Sequence, residues 1–340
     1  MLLAKVPRSR AESVRKALFR RRLGCKDRRI GTEGDFVLIP LKGEPPAGVV
    51  EELGIELVEG DARDKTCYRP PYDRVVEAAD LPDDLKAMLP RHWEMLGDVL
   101  VLRLPGELLA HRERIAEAYA EVLEARTVLL DRVNIDGVYR TPEMEKLWGD
   151  GTETVHFENG LFYKFDAARI MFSSGNIDEK LRMASLDCRG ETVVDMFAGI
   201  GYFALPIAVH ARPSEVIACE INPLAFRYLR ENISLNKVED VVRPVLGDNR
   251  ELPGVGIADR VVMGYVRTTA QHLEKAFSLV RQNGIIHYQD TFPLEVFPKM
   301  ALDNVARAAG GRDYKVERMR EVKSYSPGVS HMVLDVRVLD

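Results

Sequence analysis

Between Thr192 and Phe203 the chain reads Thr-Val-Val-Asp-Met-Phe-Ala-Gly-Ile-Gly-Tyr-Phe, a short β-branched run that breaks into glycines and continues as an apolar helical pattern. Val193 and Val194 suit an interior parallel strand, which needs crossover connections to its neighbours. Asp195 falls at the carboxyl end of that strand, and Gly199 and Gly201 carry no Cβ to hold the backbone away from a ligand. The helix that follows offers free amide donors at its start. The turn is therefore a candidate nucleotide-cofactor site, with Asp195, Phe197, Ala198, Gly199 and Gly201 as its candidate binding residues.

By itself the turn leaves two cofactor classes open, because Gly199-Ile-Gly-Tyr-Phe-Ala204 also fits the dinucleotide fingerprint G-x-G-x-x-A. The next acid at a strand end, Glu220 in Val216-Ile-Ala-Cys-Glu-Ile-Asn-Pro223, has the spacing at which a carboxylate meets ribose hydroxyls in either class. Asp248-Asn249, after Val245-Leu-Gly, supplies a third strand end. It matches the adenine-binding acid of S-adenosylmethionine enzymes and has no counterpart in the dehydrogenase fingerprint. The three-part spacing favours S-adenosylmethionine as cofactor.

With 340 residues, 46% of them hydrophobic, the chain can bury a sizeable core and form two or three domains. No run approaches the ~18 apolar residues of a membrane helix, and the start, Met1-Leu-Leu-Ala-Lys-Val-Pro-Arg8, is charged too soon for a signal peptide, so a cytoplasmic location is expected. Cys25, Cys67, Cys188 and Cys219 form no C-x-x-C pair, and the seven histidines form no H-E-x-x-H, so neither a disulfide framework nor a metal site is expected. The net charge of −5 argues against coating nucleic acid through overall charge. Residues 1 to 30 nevertheless hold eleven basic side chains against Glu12 and Asp27, a candidate phosphate-binding face.

Taken in order, residues 1 to 60 read as a small basic α/β unit, a candidate nucleic-acid-binding domain. Its helix runs from Ser9 to Arg22, opened by a Ser9/Glu12 capping box. Residues 61 to 150 read as a middle α/β region, with helices over 81–89 and 106–123. Its end, Gly137-Val-Tyr-Arg-Thr-Pro142, has the aromatic and cationic residues to grip single-stranded RNA, or is a plain surface loop. Asn159-Gly160 between alternating apolar runs predicts a hairpin. From Gly190 onward strands near 192–196, 215–219, 241–245, 259–264 and 284–290 alternate with helices near 202–210, 223–236, 268–282 and 295–309. Two last strands, about 313–323 and 330–338, make the final one antiparallel. Residues 151 to 340 thus predict a doubly wound α/β sheet of the class I S-adenosylmethionine-dependent methyltransferase type.

Arg169-Ile-Met-Phe-Ser-Ser-Gly-Asn-Ile-Asp-Glu-Lys-Leu-Arg182 resembles the segment that marks archaeal and eukaryotic tRNA enzymes acting beside the anticodon. Two sister families share it: the tRNA guanine-37 methyltransferases and the wybutosine-pathway aminocarboxypropyltransferases. Phe172-Ser-Ser-Gly-Asn-Ile177 is similar to the second, where the methyltransferases usually have Phe-Ser-Pro-Arg. Met263-Gly-Tyr-Val-Arg267 also resembles the second family, since base-nitrogen methyltransferases usually place Asn-Pro-Pro-aromatic or Asn-Leu-Pro there.

The resemblance implies transfer of the 3-amino-3-carboxypropyl group of S-adenosylmethionine to carbon 7 of 4-demethylwyosine at position 37 of phenylalanine tRNA, in the anticodon loop, releasing methylthioadenosine. It implies that Glu220 takes the ribose hydroxyls, Asp248 the adenine amino group and Asn249 the purine pocket. Ser173 and Lys180 would hold the amino-acid tail, with Gly264 and Tyr265 also at the cofactor. No catalytic residue, metal or membrane partner is implied. A methyltransferase acting on guanine-37 or 4-demethylwyosine, and a non-catalytic tRNA-binding protein, remain the alternative readings.

Overall fold

The computed structural model describes residues 1–64, 68–136 and 141–340. Cys67 and most of the Gly137–Pro142 stretch offered as an RNA contact lie outside the described residues. Backbone proximity divides the chain into two units, Met1–Pro70 and Pro71–Asp340.

The first unit is an antiparallel sheet of β1 (Leu2–Pro7), β2 (Gly31–Glu33), β3 (Phe36–Pro40) and β4 (Glu56–Glu59), in the order β2-β3-β1-β4. Its helices are α1 (Ala11–Arg20) and α2 (Ala47–Leu53). Val14 and Leu18 on α1 bury against Ala4, Val6 and Ile39 of the sheet. The expected capping box is absent: a 3-10 turn over Arg8–Arg10 precedes the helix, Arg10 is the N-cap, and no side chain caps it. Glu12 instead pairs with Arg15 at 2.8 Å and Lys16 at 3.4 Å. Two cations on its own helix face outcompete one backbone amide. Of the basic block, Lys5, Arg21 and Arg28 are paired to Glu33, Glu52 and Asp64. Arg8, Arg20, Arg22 and Lys26 are exposed.

The second unit begins with α3 (Pro71–Ala78) and α4 (Asp83–Lys86), then a sheet of β5 (Glu94–Leu96), β6 (Val99–Leu102), β7 (Thr127–Asp136) and β8 (Thr141–Gly149). The helix expected over 81–89 shrinks to α4: Pro82 sits at its N-cap in an extended conformation that no helical residue shares, and the helix ends at Lys86, ahead of Pro90. The one expected over 106–123 splits into a 3-10 stretch, Gly106–His111, and α5 (Arg112–Leu123). Leu96, Val99, Val101 and Leu129 belong to the same buried cluster as Leu161, Tyr163 and Phe165. These side chains of β5, β6 and β7 therefore share a core with the residues that follow, while Val75, Leu100, Ile115 and Tyr119 belong to a separate buried cluster.

The hairpin forms from β9 (Glu153–Glu158) and β10 (Leu161–Asp166), with Glu158 opposite Leu161. Asn159 and Gly160 both have positive φ, at 54° and 80°, as a tight two-residue turn needs. After α6 (Ile177–Ala184) comes the main sheet of β11 (Thr192–Asp195), β12 (Glu215–Glu220), β13 (Val242–Leu246), β14 (Ala258–Met263), β15 (Val280–Pro293), β16 (Tyr314–Ser326) and β17 (Val329–Val338). Its order is β13-β12-β11-β14-β15-β17-β16. Strands β11 to β15 are parallel, and β17 runs antiparallel to both β15 and β16. The order reverses at β11, between β12 and β14, so a crevice opens at their carboxyl ends.

The intervening helices are α7 (Ala204–Pro206), α8 (Pro223–Leu235), α9 (Leu273–Leu279) and α10 (Lys299–Ala309). Three differ from expectation, α10 by beginning at Lys299, after Pro298, and not near 295. The helix over 202–210 has one α turn and then π geometry from Ile207 to Ala211, where Pro206 withholds a ladder donor. The helix expected to reach 282 stops at Leu279, because buried Val280 pairs with Ala258 and opens β15. Among the described residues no helix is long and apolar enough to cross a membrane.

Candidate functional site

A cavity of about 710 Å³ lies at the carboxyl ends of β11 to β14 and extends to the Phe172–Asn176 segment, β5 and β16. Ser173, Lys180, Phe197, Gly199, Glu220, Asp248, Asn249, Gly264 and Tyr265 stand on its wall, so the structure brings nine of the twelve sequence candidates together. Asp195, Ala198 and Gly201 are buried and are not on the wall. Their contribution is to the shape of the turn.

That shape starts at Gly201, whose φ of +108° is closed to a side chain and whose added Cβ would meet Leu205 at 2.6 Å. Beneath the turn, Asp195 accepts the Phe197 amide at 3.1 Å through one oxygen, while its other oxygen has no hydrogen-bond partner among the described residues. Burial, with the charge of Glu220 adding to it, pushes the Asp195 carboxyl up to about 7. The expected free amides are partly spoken for, since Gly199 donates to Glu220 Oε2 at 2.7 Å.

Glu220 Oε1 accepts the Asn222 amide, also at 2.7 Å. Each carboxylate oxygen thus has one backbone donor and lone-pair capacity left for a hydroxyl. Burial raises the Glu220 pKa, and the backbone donors oppose that rise. The next residues launch α8 directly: Asn222 Oδ1 caps Leu224 at 2.9 Å, and Pro223 occupies the first turn.

Asp248 and Asn249 sit across the crevice. Arg250 binds Asp248 through its side chain and its amide, and holds the carboxyl down at about 2, so Asp248 is a charged acceptor. Asn249 has its amide already engaged: Nδ2 donates to the Met196 carbonyl at 2.8 Å, and Oδ1 accepts from His272 Nδ1 at 2.7 Å. Burial and the Arg250 charge keep His272 below the usual imidazole range, hence neutral. Phe197 stacks on Tyr265 at 5.0 Å and meets the edge of His272 at 5.0 Å. Gly264 leaves room for a different ring, since a Cβ there would lie 2.3 Å from Phe203.

At the other end Lys180 is 1% exposed, and its ammonium donates to Glu158 Oε1 at 2.7 Å. Phe172, Tyr202 and Tyr163 present rings to it at 4.5, 5.4 and 5.9 Å. A solvated helix lysine is thereby excluded. Sequence reasoning missed Glu158, Tyr202, Asn222 and His272. The Asn-Pro pair after Glu220 signals a helix start and could have found Asn222; Tyr202 occupies an open position of the glycine fingerprint, and Glu158 and His272 carry no motif.

The residues present fit S-adenosylmethionine. The cavity has the volume of a small-molecule site, a paired-oxygen acceptor at Glu220, a charged acceptor at Asp248 beside aromatic faces, and a cation at Lys180. Three family models match the chain: a TRM5/TYW2 methyltransferase domain over residues 154–317, a TYW2 N-terminal domain over 74–152 and a tRNA methyltransferase 5 N-terminal domain over 5–49. The tRNA(Phe) (4-demethylwyosine(37)-C(7)) aminocarboxypropyltransferase of Pyrococcus horikoshii is 47% identical over 79% of this chain and 96% of its own. The crystal structure of P. horikoshii TYW2 in complex with MeSAdo superposes with a TM-score of 0.72 at 44% identity, covering 79% of this chain and 99% of that one. The tRNA (guanine(37)-N(1))-methyltransferase Trm5b of Pyrococcus abyssi is 35% identical over 99% of both chains. These matches, and a cofactor crevice at the switch point of the sheet, establish that the chain belongs to the TRM5/TYW2 family of S-adenosylmethionine-dependent enzymes.

Proposed function

We propose that this chain transfers the 3-amino-3-carboxypropyl group of S-adenosylmethionine to carbon 7 of 4-demethylwyosine at position 37 of phenylalanine tRNA. The observation that carries the reading is the end of β14, where Gly264 and Tyr265 line the cavity and the chain reads Gly-Tyr-Val-Arg267, with no Asn or Gln in that string. Methyl transfer to a base nitrogen uses an amide there to hold the nitrogen's edge. Attack by a ring carbon has no such need. The 47% identity to the P. horikoshii aminocarboxypropyltransferase supports the same reading.

The bound sulfonium supplies an electrophilic methylene; carbon 7 bonds to it, the sulfur–carbon bond breaks, methylthioadenosine leaves, and the carbon 7 proton is lost. The protein's own residues bind and orient. Glu220 takes the ribose hydroxyls on the lone pairs its backbone donors leave, and Asp248 takes the adenine amino group. Phe197 and Tyr265 offer faces for the purine. Ser173 and Lys180 hold the amino-acid tail, a hydroxyl and an ammonium facing an α-carboxylate. Placing the arm rather than the methyl in line with the base is the task, and orientation alone accounts for a large share of such rate enhancement.

A second reading, guanine-37 N1 methylation, draws on the match to Trm5b across nearly the whole chain, including residues 5–49. Nucleoside mass spectrometry separates the two. The enzyme is incubated with cofactor and tRNA carrying either guanosine or 4-demethylwyosine at position 37. An aminocarboxypropyl adduct on the tricyclic base, with methylthioadenosine in solution, is expected; a methylated guanosine with S-adenosylhomocysteine would overturn the proposal.

A further inference from the structure

The environment of Lys180 contains a partner that none of the roles above uses. Glu158 ends β9, immediately before the Asn159-Gly160 turn, and its side chain is 9% exposed. Its carboxylate meets the Lys180 ammonium at 2.7 Å, inside a box of Phe172, Tyr163 and Tyr202 rings. The hairpin that carries it is anchored from behind. Asn232 of α8 accepts the Lys164 amide at 2.7 Å and donates to the Lys164 carbonyl at 3.2 Å, while Asn236 does the same for Phe162 at 2.9 and 2.7 Å. Asn232 also donates to the Ile200 carbonyl in the glycine turn at 3.1 Å. β10, the strand paired with the one that holds Glu158, is thus tied to the glycine turn.

We infer that Glu158 is a positioning residue that keeps the Lys180 ammonium charged and aimed at the amino-acid arm of the cofactor. A lysine this deep in apolar rings favours its neutral form, and burial does depress its pKa, with Glu158 the main opposing influence. The other groups facing it divide in sign. Glu94 on β5 favours the charged form and Lys323 on β16 disfavours it. His156, which shares β9 with Glu153 and Glu158, is itself pushed down by burial. Tyr163 is pushed up and stays neutral. An ammonium has three donors, so Glu158 can hold one and leave others for an incoming carboxylate. A neutral amine would offer that carboxylate no charge.

The inference rests on Lys180 meeting the arm, as proposed above, and equilibrium binding tests it without turnover. S-adenosylmethionine has the arm; methylthioadenosine lacks it. Calorimetry compares both ligands with the wild type, Glu158→Gln and Glu158→Asp from about pH 6 to about pH 9, where each unit above a depressed lysine pKa removes about tenfold of the charged form. Glu158→Gln should bind methylthioadenosine as the wild type does, yet lose S-adenosylmethionine affinity progressively as pH rises. Glu158→Asp keeps the charge on a shorter stem, so it should weaken S-adenosylmethionine alone, by a factor that does not change with pH. If either variant binds both ligands like the wild type, or weakens both alike, the inference is overturned. Methyl transfer by the wild type would overturn the proposed function and leave this binding pattern unaffected.

Discussion

Truncating Glu220 to alanine removes the acceptor proposed for the ribose hydroxyls. Both carboxylate oxygens already hold a backbone amide at 2.7 Å, so the side chain supports the turn at Gly199 and the start of α8 as well as the ligand. Two hydroxyls on a charged acceptor are worth about 1.5 to 3 kcal/mol each. Water entering the truncated pocket solvates the hydroxyls and restores roughly half of this, leaving a net loss of about 1.5 to 3 kcal/mol. The dissociation constant for S-adenosylmethionine should therefore rise by about ten- to 150-fold. Methylthioadenosine, which keeps the ribose, should show the same loss in calorimetry. Glu220→Gln retains one acceptor oxygen and should fall between the two. Affinity unchanged within about twofold in a folded Glu220→Ala protein would refute the ribose role, because the loss of even one charged hydrogen bond exceeds that.

Three further outcomes are expected. Asp195→Asn should remove a pH dependence of stability: the folded carboxyl keeps its proton to about 7 while the unfolded one ionises near 3.8, so the wild type is stabilised by the group below 3.8 and loses that contribution as pH rises through 7. Urea titrations near pH 8 should find the variant more stable by up to about 4 kcal/mol, and equal slopes against pH for both proteins would contradict this. Asn232→Ala should lower stability by about 3 kcal/mol, one for each hydrogen bond to Lys164 and Ile200, seen as a reduced urea midpoint; an unshifted midpoint would show that the hairpin needs no anchor. Removing Met1–Pro70, a compact unit, should raise the Michaelis constant for tRNA and spare cofactor affinity, with the plot of log affinity against log salt flattening by about 0.7 to 0.9 for every phosphate that the shortened protein no longer neutralises. An identical salt slope would leave Arg8, Arg20, Arg22 and Lys26 as a solvated face.

The main sheet was legible because its strands are marked twice, by β-branched runs and by the residue types at their carboxyl ends. Val193-Val194 before the glycines, Glu220 before Asn-Pro and Asp248-Asn249 after Gly247 each name a strand end, and those ends meet at one crevice. Where two local options competed, the sequence misled. Glu12 could cap backwards or pair forwards, and the nearby Arg15 and Lys16 decided it. Val280 could close a helix or open a strand, and pairing with Ala258 decided that. Glu158 was invisible for a different reason. Its partner lies 22 residues along the chain on another element, and only the fold brings the two charges into the same apolar box.

The central claim concerns which carbon of the cofactor reaches the base, and isotopic labels report it directly. The enzyme is given tRNA carrying 4-demethylwyosine with S-adenosylmethionine labelled separately in the methyl group and in the carboxyl carbon. Carboxyl label should enter the tRNA, and methyl label should leave in methylthioadenosine. Methyl label in the tRNA, with carboxyl label left in S-adenosylhomocysteine, would contradict aminocarboxypropyl transfer and make the chain a methyltransferase.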